Sequence, residues 1–449
     1  MSHNSQTIPA STSAKSSRKG WILLFLAISL TLPGLYLRLA DTLEGPLPPA
    51  TVSALLLGLT MVGAAFLLAW ASDVAQLDVS RSFAFAVLAV VAVLPEYSVD
   101  ASFAYRAASD PIQGEYAIAN MTGANRLLIG IAWPLILGLF WLATNRRKSG
   151  FEMARTNTME LGFLAVASLF VIVIVIKGMI FHSAGFFGRI DLIDAGTLVS
   201  IYVVYLIASA RQPQEEPHLF GPAASIASLG KSKRRIAVVV LFLFSATVIL
   251  LSADPFAQNL VKTGEAFNIP PFVLVQWLAP IASEAPEVVV ASIFALRNAP
   301  LIALTLLVSS EVNQFTLLIG TLPVVYSVGL GRPGALPFGE LQVTEIFLTA
   351  AQSIFAIVLL SNLKFTHKGA WALFILFAAQ LSLSEVKHSH QIFGAAYLVL
   401  TVILLLTNID RLKGSFQLLP ATLKEFLNPK IMVITAVLIG TGVLLTLLF

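Results

Sequence analysis

"PIASEAPEVVVASIFALRN" (residues 280–298) sets two carboxylates, Glu284 and Glu287, around Pro286 in a stretch otherwise apolar enough to lie in lipid. A charge at the bilayer centre costs about 2.5–3.5 kcal/mol on insertion scales. A proline inside a helix lacks an N–H and clashes with the carbonyl four residues back. Such features are tolerated where they face a bundle interior or a cavity, so this stretch predicts a buried polar site.

The rest of the chain supports that reading. Of its 449 residues 57% are hydrophobic and 12% charged, and its mean hydropathy is +0.85. This is the composition of an all-α integral membrane protein, its backbone nearly all helix because lipid offers an unpaired amide no partner. Apolar runs of about 20 residues, the length a bilayer requires, favour helices. They predict about 13 transmembrane helices near 21–39, 50–75, 82–107, 115–144, 157–181, 190–210, 236–262, 270–298, 300–328, 341–362, 369–386, 391–407 and 431–448. Residues 1–19 are polar and basic before the first run, which reads as an uncleaved helix and not as a signal peptide. With the N-terminus cytoplasmic, roughly twenty of the 28 Lys and Arg fall inside, as the positive-inside rule requires of a multi-pass plasma-membrane protein. The absence of cysteine removes disulfides and thiolate chemistry, and nothing in the basic pattern points to nucleic acid.

The opening stretch has a counterpart. "PEYSVDASFAYR" (95–106) and "PEVVVASIFALR" (286–297) share Pro-Glu, then Val99 with Val290, Phe103 with Phe294, Ala104 with Ala295 and Arg106 with Arg297. Farther on, "NRLLIGIAWP" (125–134) is similar to "NQFTLLIGTLP" (313–323). The two Pro-Glu elements fall on the third and eighth predicted helices, an odd number of crossings apart. The copies therefore run in opposite directions, a pattern that points to a transporter with a midplane site. The expected fold is a 5+5 inverted-repeat core with proline-broken helices. Its parts are an N-terminal segment with an extra helix (1–49), a first repeat (50–210), a cytosolic linker (211–235), a second repeat (236–386) and two additional helices (387–449).

The local chemistry suits a cation. Pro95 frees the carbonyl of Val91 and Pro286 that of Ala282, and a positive ion is a fit partner for such oxygens beside carboxylates. Glu96 and Asp100 are four apart, and Glu284 and Glu287 three apart, so each pair shares a helix face. Hard oxygen ligands suit alkali and alkaline-earth ions. Asn120, Asn125, Glu311, Asn313, Gln314 and Thr316 are further candidates, with interhelical hydrogen bonding as the plainer role for the amides and the threonine. Arg126 lies near a helix centre and requires a carboxylate, with Asp100 or Glu311 expected as its partner. Glu340 and Glu345 flank a helix start, where they complement the helix dipole or line an outer vestibule. His182, His218, His367, His388 and His390 fall in predicted loops or at helix ends and are expected to be solvated.

The paired Pro-Glu helices, each followed by an Asn-bearing helix ("IANMTGANRLLIG", "LVSSEVNQFTLLIG"), resemble the two alpha repeats of the sodium/calcium exchanger superfamily of cation antiporters. The resemblance covers about ten helices, from residue 50 to about 386. It implies that the motif glutamates Glu96 and Glu287 coordinate the cation, and that Asn120, Gly123 and Asn125 belong to the second motif of the first repeat. It also implies a secondary-active antiporter, not an enzyme, with no cofactor, exchanging Na+ or H+ against a cation such as Ca2+ by alternating access.

The sequence departs from the family pattern at Ala92 and Val93, at Ser283 and Glu284, and at Leu128, and the second repeat offers Gln314 or Thr316 as a ligand. Together with Arg126 read as a tethered charge in the cavity, these departures leave a Na+/H+ antiporter without Ca2+ transport as the alternative. A membrane-embedded acid-dyad hydrolase is the remaining reading, and the Pro-Glu repetition has no reason to exist in it.

Overall fold

The computed structural model describes residues 17–78, 94–153, 157–180, 188–212, 219–384 and 386–448. Among them the chain is almost entirely helical, and eleven helices are long and apolar enough to cross a membrane. Two expected spans are shorter where described: α3 (Leu94–Arg106) and α14 (His367–Ser382). By contact the chain divides into two compact units, residues 1–95 with 213–256 and residues 96–212 with 257–449.

The first unit holds α1 (Arg18–Thr42), α2 (Ala50–Ala75), the short α8 (Gly221–Ala227) and the first half of α9 (Lys231–Phe267). Its core joins Leu24 and Ala27 of α1, Leu67, Ala71 and Val74 of α2, Ile226 of α8 and Leu241 of α9. Lipid gives apolar surface no incentive to associate, so close helix approach at small residues must hold such a bundle. The Gly34 amide donates to Thr60 Oγ1 at 2.9 Å, and a Cβ at Gly34 would lie 2.6 Å from that oxygen. At one end of the unit the Ser17 amide donates to Ser225 Oγ, and Arg234 grips Asp78 with two bonds of 2.8 and 3.0 Å.

The second unit contains the rest. In order these are α3 from Glu96, α4 (Ile112–Leu127), α5 (Trp133–Ala143), α6 (Thr158–Ile180), α7 (Leu192–Ala210), the end of α9, α10 (Pro271–Leu296), α11 (Pro300–Asn313), α12 (Ile319–Leu330), α13 (Glu340–Leu360), α14, α15 (Ser389–Thr407), α16 (Ile409–Phe426) and α17 (Pro429–Leu448). Prolines at the first turn start α10 and α11, where a missing N–H costs nothing. A capping box of Asp191 and Asp194 starts α7.

Two short antiparallel ribbons fix the topology of this unit. β1 (Gly150–Glu152), after α5, pairs with β4 (Lys364–Thr366), after α13; β2 (Gly188–Ile190), after α6, pairs with β3 (Leu336–Phe338), after α12. Each ribbon takes one strand from each half of the chain, in exchanged positions, as a two-fold relation between the halves requires. A single helix separates β1 from β2 and β3 from β4, so the ribbons mark opposite faces. The α3–α4 turn lies at the β3 face, where Gly114 abuts the Pro337 carbonyl. The start of α11 lies at the β1 face, where Asn157 Nδ2 donates to Thr305 Oγ1. So α3 ends at one face and α10 at the other, and the two Pro-Glu helices run in opposite directions.

Two details differ from expectation. α10 stays helical through both Pro280 and Pro286, each of which removes one backbone hydrogen bond without ending the helix. The irregular backbone lies in the Asn-bearing helices: π turns at Leu128–Ala132 and Gln314–Leu318 join α4 to α5 and α11 to α12. Three helices, not two, follow residue 387, because α16 is amphipathic and its polar residues interrupt the apolar run that reveals a span. Its Leu418 and Thr422 are buried, and Thr422 meets Gly162 of α6. The carbonyl of Val91, proposed as an ion ligand, lies outside the described residues, as do His182 and His218.

Candidate functional site

Four helices of the second unit bring buried acids and amides together. α3 presents Glu96 and Asp100, both essentially inaccessible to solvent, on the face that their four-residue spacing requires. α10 adds Glu284, buried, and half-buried Glu287 one turn on. α11 and its π turn supply Glu311, Asn313, Gln314 and Thr316, and α4 supplies Asn120 and Asn125, all buried.

Amides join the carboxylates. Gln314 Nε2 donates to Glu96 Oε2 at 3.2 Å and to Glu284 Oε1 at 3.0 Å, bridging the acids of the two Pro-Glu helices. Gln314 thus joins Glu96 to Glu284, whose position in the first repeat is held by apolar Val93, and the motif residue Glu287 lies within electrostatic reach of Glu96. Asn120 Nδ2 donates to Asp100 Oδ1 at 2.7 Å, and Tyr97 Oη donates to Asn313 Oδ1 at 3.0 Å. Glu96, Asp100 and Glu311 all lie within electrostatic reach of Glu284.

The remaining candidates satisfy themselves locally. Asn125 Nδ2 donates to the Met121 carbonyl, Thr316 Oγ1 to that of Val312, and Ser283 Oγ to those of Ala279 and Pro280. The buried Ala282 carbonyl has no amide at Pro286 to accept from.

What distinguishes the cluster is its surplus of acceptors. Glu96 Oε1, Asp100 Oδ2, Asn120 Oδ1, Glu284 Oε2, both Glu311 carboxyl oxygens and Gln314 Oε1 are buried and receive no hydrogen bond, and so is the Asn125 amide oxygen. A buried acceptor with no donor costs about 1–3 kcal/mol, and several together are accounted for by protons or a cation. Among the described residues no three His, Cys, Asp or Glu converge to enclose a metal ion; in this conformation amides hold the carboxylates.

Arg126 is not a tethered charge in this cluster. Its guanidinium, fully buried, pairs with Glu345 of α13 at 3.5 Å and lies over the Trp277 ring at 5.1 Å. Neither Asp100 nor Glu311 is its partner. The reason is helical phase: Arg126 stands four residues after Thr122, whose hydroxyl also reaches Glu345, so this face of α4 meets α13. Glu345 is correspondingly a fully buried partner and not a vestibule residue. The solvated role expected of His390 also fails, since its imidazole is nearly buried at 3.6 Å from Glu345. Both Glu345 and His390 sit close to helix starts, which made them read as surface groups.

A family model described as sodium/calcium exchanger protein matches residues 49–211 and 237–386. A solved structure described as the H+/Ca2+ exchanger CAX is 38% identical, with a TM-score of 0.81, and the match covers 91% of this chain and 99% of that one. Native YfkE is similar at 13% identity with a TM-score of 0.56, covering 85% of this chain and 100% of that one, a likeness of fold alone. A selenium-substituted Ca2+/H+ antiporter protein YfkE is similar at 15% identity with a TM-score of 0.54, over 85% and 100%. No curated protein sequence matches the chain.

Proposed function

Because this multi-pass membrane chain belongs to the sodium/calcium exchanger family of cation antiporters, we propose that it exchanges H+ against a divalent cation such as Ca2+ by alternating access around Glu96 and Glu284. The observation that carries this reading is the set of buried oxygens without donors, four of them on Glu96, Glu284 and Glu311. Buried acceptors without donors are satisfied by protons or by a cation, so the two compete for the same acids. A divalent ion that displaces two carboxyl protons leaves the buried charge unchanged, which avoids the cost of an uncompensated charge.

Asp100, Glu287, Asn120, Asn125, Asn313, Thr316, Ser283 and the Ala282 carbonyl complete the candidate ligands, with Glu287 carried by the motif it matches. Gln314 turns its amide oxygen to the ion when the carboxylates ionise. The halves 50–210 and 236–386, inverted with respect to each other, rock around this centre, and the ion is enclosed when they draw the oxygens closer than the amide bridge holds them. We place the N-terminus and the Arg234–Asp78 end in the cytoplasm and the protein in the plasma membrane, as the basic loops support.

The similarity to an H+/Ca2+ exchanger at 38% identity supports protons as the counter-ion. The pairing of Arg126 with Glu345 removes the tethered charge that favoured a monovalent-only exchanger. Substituting Glu96→Gln or Glu284→Gln tests the centre. Ca2+ flux in proteoliposomes is expected to fall at least about tenfold, because an amide supplies neither the charge nor the exchangeable proton. Undiminished flux in both variants would reject it.

A further inference from the structure

On the side of α4 that faces α13, a second titratable group is built around one oxygen. Glu345 Oε1 lies 2.7 Å from Gln276 Nε2, 3.5 Å from Arg126 Nη2 and 3.6 Å from His390 Nε2. The other oxygen accepts from Thr122 Oγ1 at 3.2 Å. Arg126 and Glu345 are sealed from solvent, whereas the His390 side chain keeps 11% of its surface exposed. That exposure opens on a pocket of about 460 Å³, lined among others by Gln276, Trp277, Glu340, Lys387, His388 and His390. His390 thus stands between water and a buried carboxylate.

Two cations contend for Oε1. Arg126 is charged at every physiological pH, yet its Nη1 and Nη2 make no hydrogen bond and its contact is long. The imidazole is charged only after taking a proton. The charged and titratable groups that face it are Glu345 from α13 and Arg126 from α4, with Glu340, Lys387 and His388 around the pocket. Tyr397, one heptad on along α15, lies near Arg126, and its hydroxyl has no partner.

We propose that His390 and Glu345 form a proton-binding site, separate from the Glu96–Glu284 centre and reached from this pocket, in which a protonated His390 takes Glu345 Oε1 from Arg126. The proton comes from pocket water to the imidazole, which then directs a charged Nε2–H at Glu345 Oε1, and no bond to carbon changes. Arg126 is carried by α4, whose Asn120 holds Asp100, so protonation at the pocket weakens the anchor of the helix that positions the cation centre. The proton site itself stands on this geometry; its effect on transport rests on the antiporter reading.

The test is an NMR pH titration of the full chain, labelled at histidine and held in lipid nanodiscs, with the His390 signal identified by its loss in His390→Gln. Glu345→Gln removes the attracting charge and should move the titration of His390 down by about one pH unit, and Arg126→Gln removes the competing cation and should move it up. A His390 titration that is the same in both variants overturns the proposal. Should neither variant fold, His390→Gln, which keeps the ion pair, is expected to shift the dependence of Ca2+ flux on the pH of the pocket side, and an unshifted profile overturns the proposal. Wild-type vesicles without ion-driven flux would reject the antiporter reading and leave the titration result standing.

Discussion

At the scale of single residues, the molecule separates two kinds of buried charge that look alike in sequence. Glu96, Asp100 and Glu284 accept from side-chain amides, Glu311 has both oxygens without a donor, and none of the four has a basic partner among the described residues, which suits groups that must gain and lose protons or a cation. Glu345 instead receives Arg126, Gln276 and Thr122 and supports the helix packing. Arg126→Met leaves Glu345 buried and uncompensated, and is expected to cost about 3–5 kcal/mol of stability, whereas Arg126→Met with Glu345→Leu should recover most of it. Thermal unfolding in detergent reads both. That Glu96 and Glu284 are buried polar groups was legible because an acid near proline in a lipid-length apolar run has few structural excuses, and Asp100 followed from its four-residue spacing to Glu96. The partner of Arg126 was not, since a lone buried cation identifies the need for a carboxylate but not which helix supplies it. Gln314 was legible only as one of several polar residues; its bridging role depends on the π turn that begins at its own position.

At the scale of elements, close approach sets the geometry. Gly123 packs α4 against α10 so tightly that a Cβ there would fall 1.8 Å from the backbone carbonyl oxygen of Gln276, which cannot rotate away. Gly123→Ala is therefore expected to destabilise by about 1–3 kcal/mol, read as a lowered Tm, and to reduce flux by displacing Asn120. The end of α2 is pinned to α9 by Asp78. The hydrogen bonds from Arg234 hold its carboxyl below the usual carboxylate range, with Arg235 adding to the effect. A group with a depressed folded-state pKa stabilises above its unfolded pKa, about 3.9, and the contribution is lost as pH falls through the folded value. The Tm of wild type should exceed that of Asp78→Asn at neutral pH, with the gap closing only below about pH 4. The helical spans were legible because lipid thickness imposes their length. The π turns and the amphipathic α16 were not, since one depends on tertiary packing and the other carries too many polar residues for a span.

At the scale of the whole molecule, an odd number of crossings between two Pro-Glu helices was enough to predict their inversion, and the exchanged strand pairs β1–β4 and β2–β3 express it in the second unit. Of the three points where the division into two compact units cuts the chain, the one after residue 212 falls in the polar linker, but the other two fall inside α3 and α9, where no break in composition marks them. Membership of the antiporter family places the chemistry in movement of ions, and the acid-dyad hydrolase gains no supporting observation from the amide-bridged carboxylates. The most direct measurement is Ca2+ movement in sealed proteoliposomes under an imposed pH gradient with sodium absent. Ca2+ should accumulate against its own gradient in the acidic lumen as protons leave, and Glu96→Gln should abolish both movements together. Sodium-driven movement alone, or no Ca2+ movement under any imposed gradient, would contradict proton–calcium exchange at the buried carboxylates.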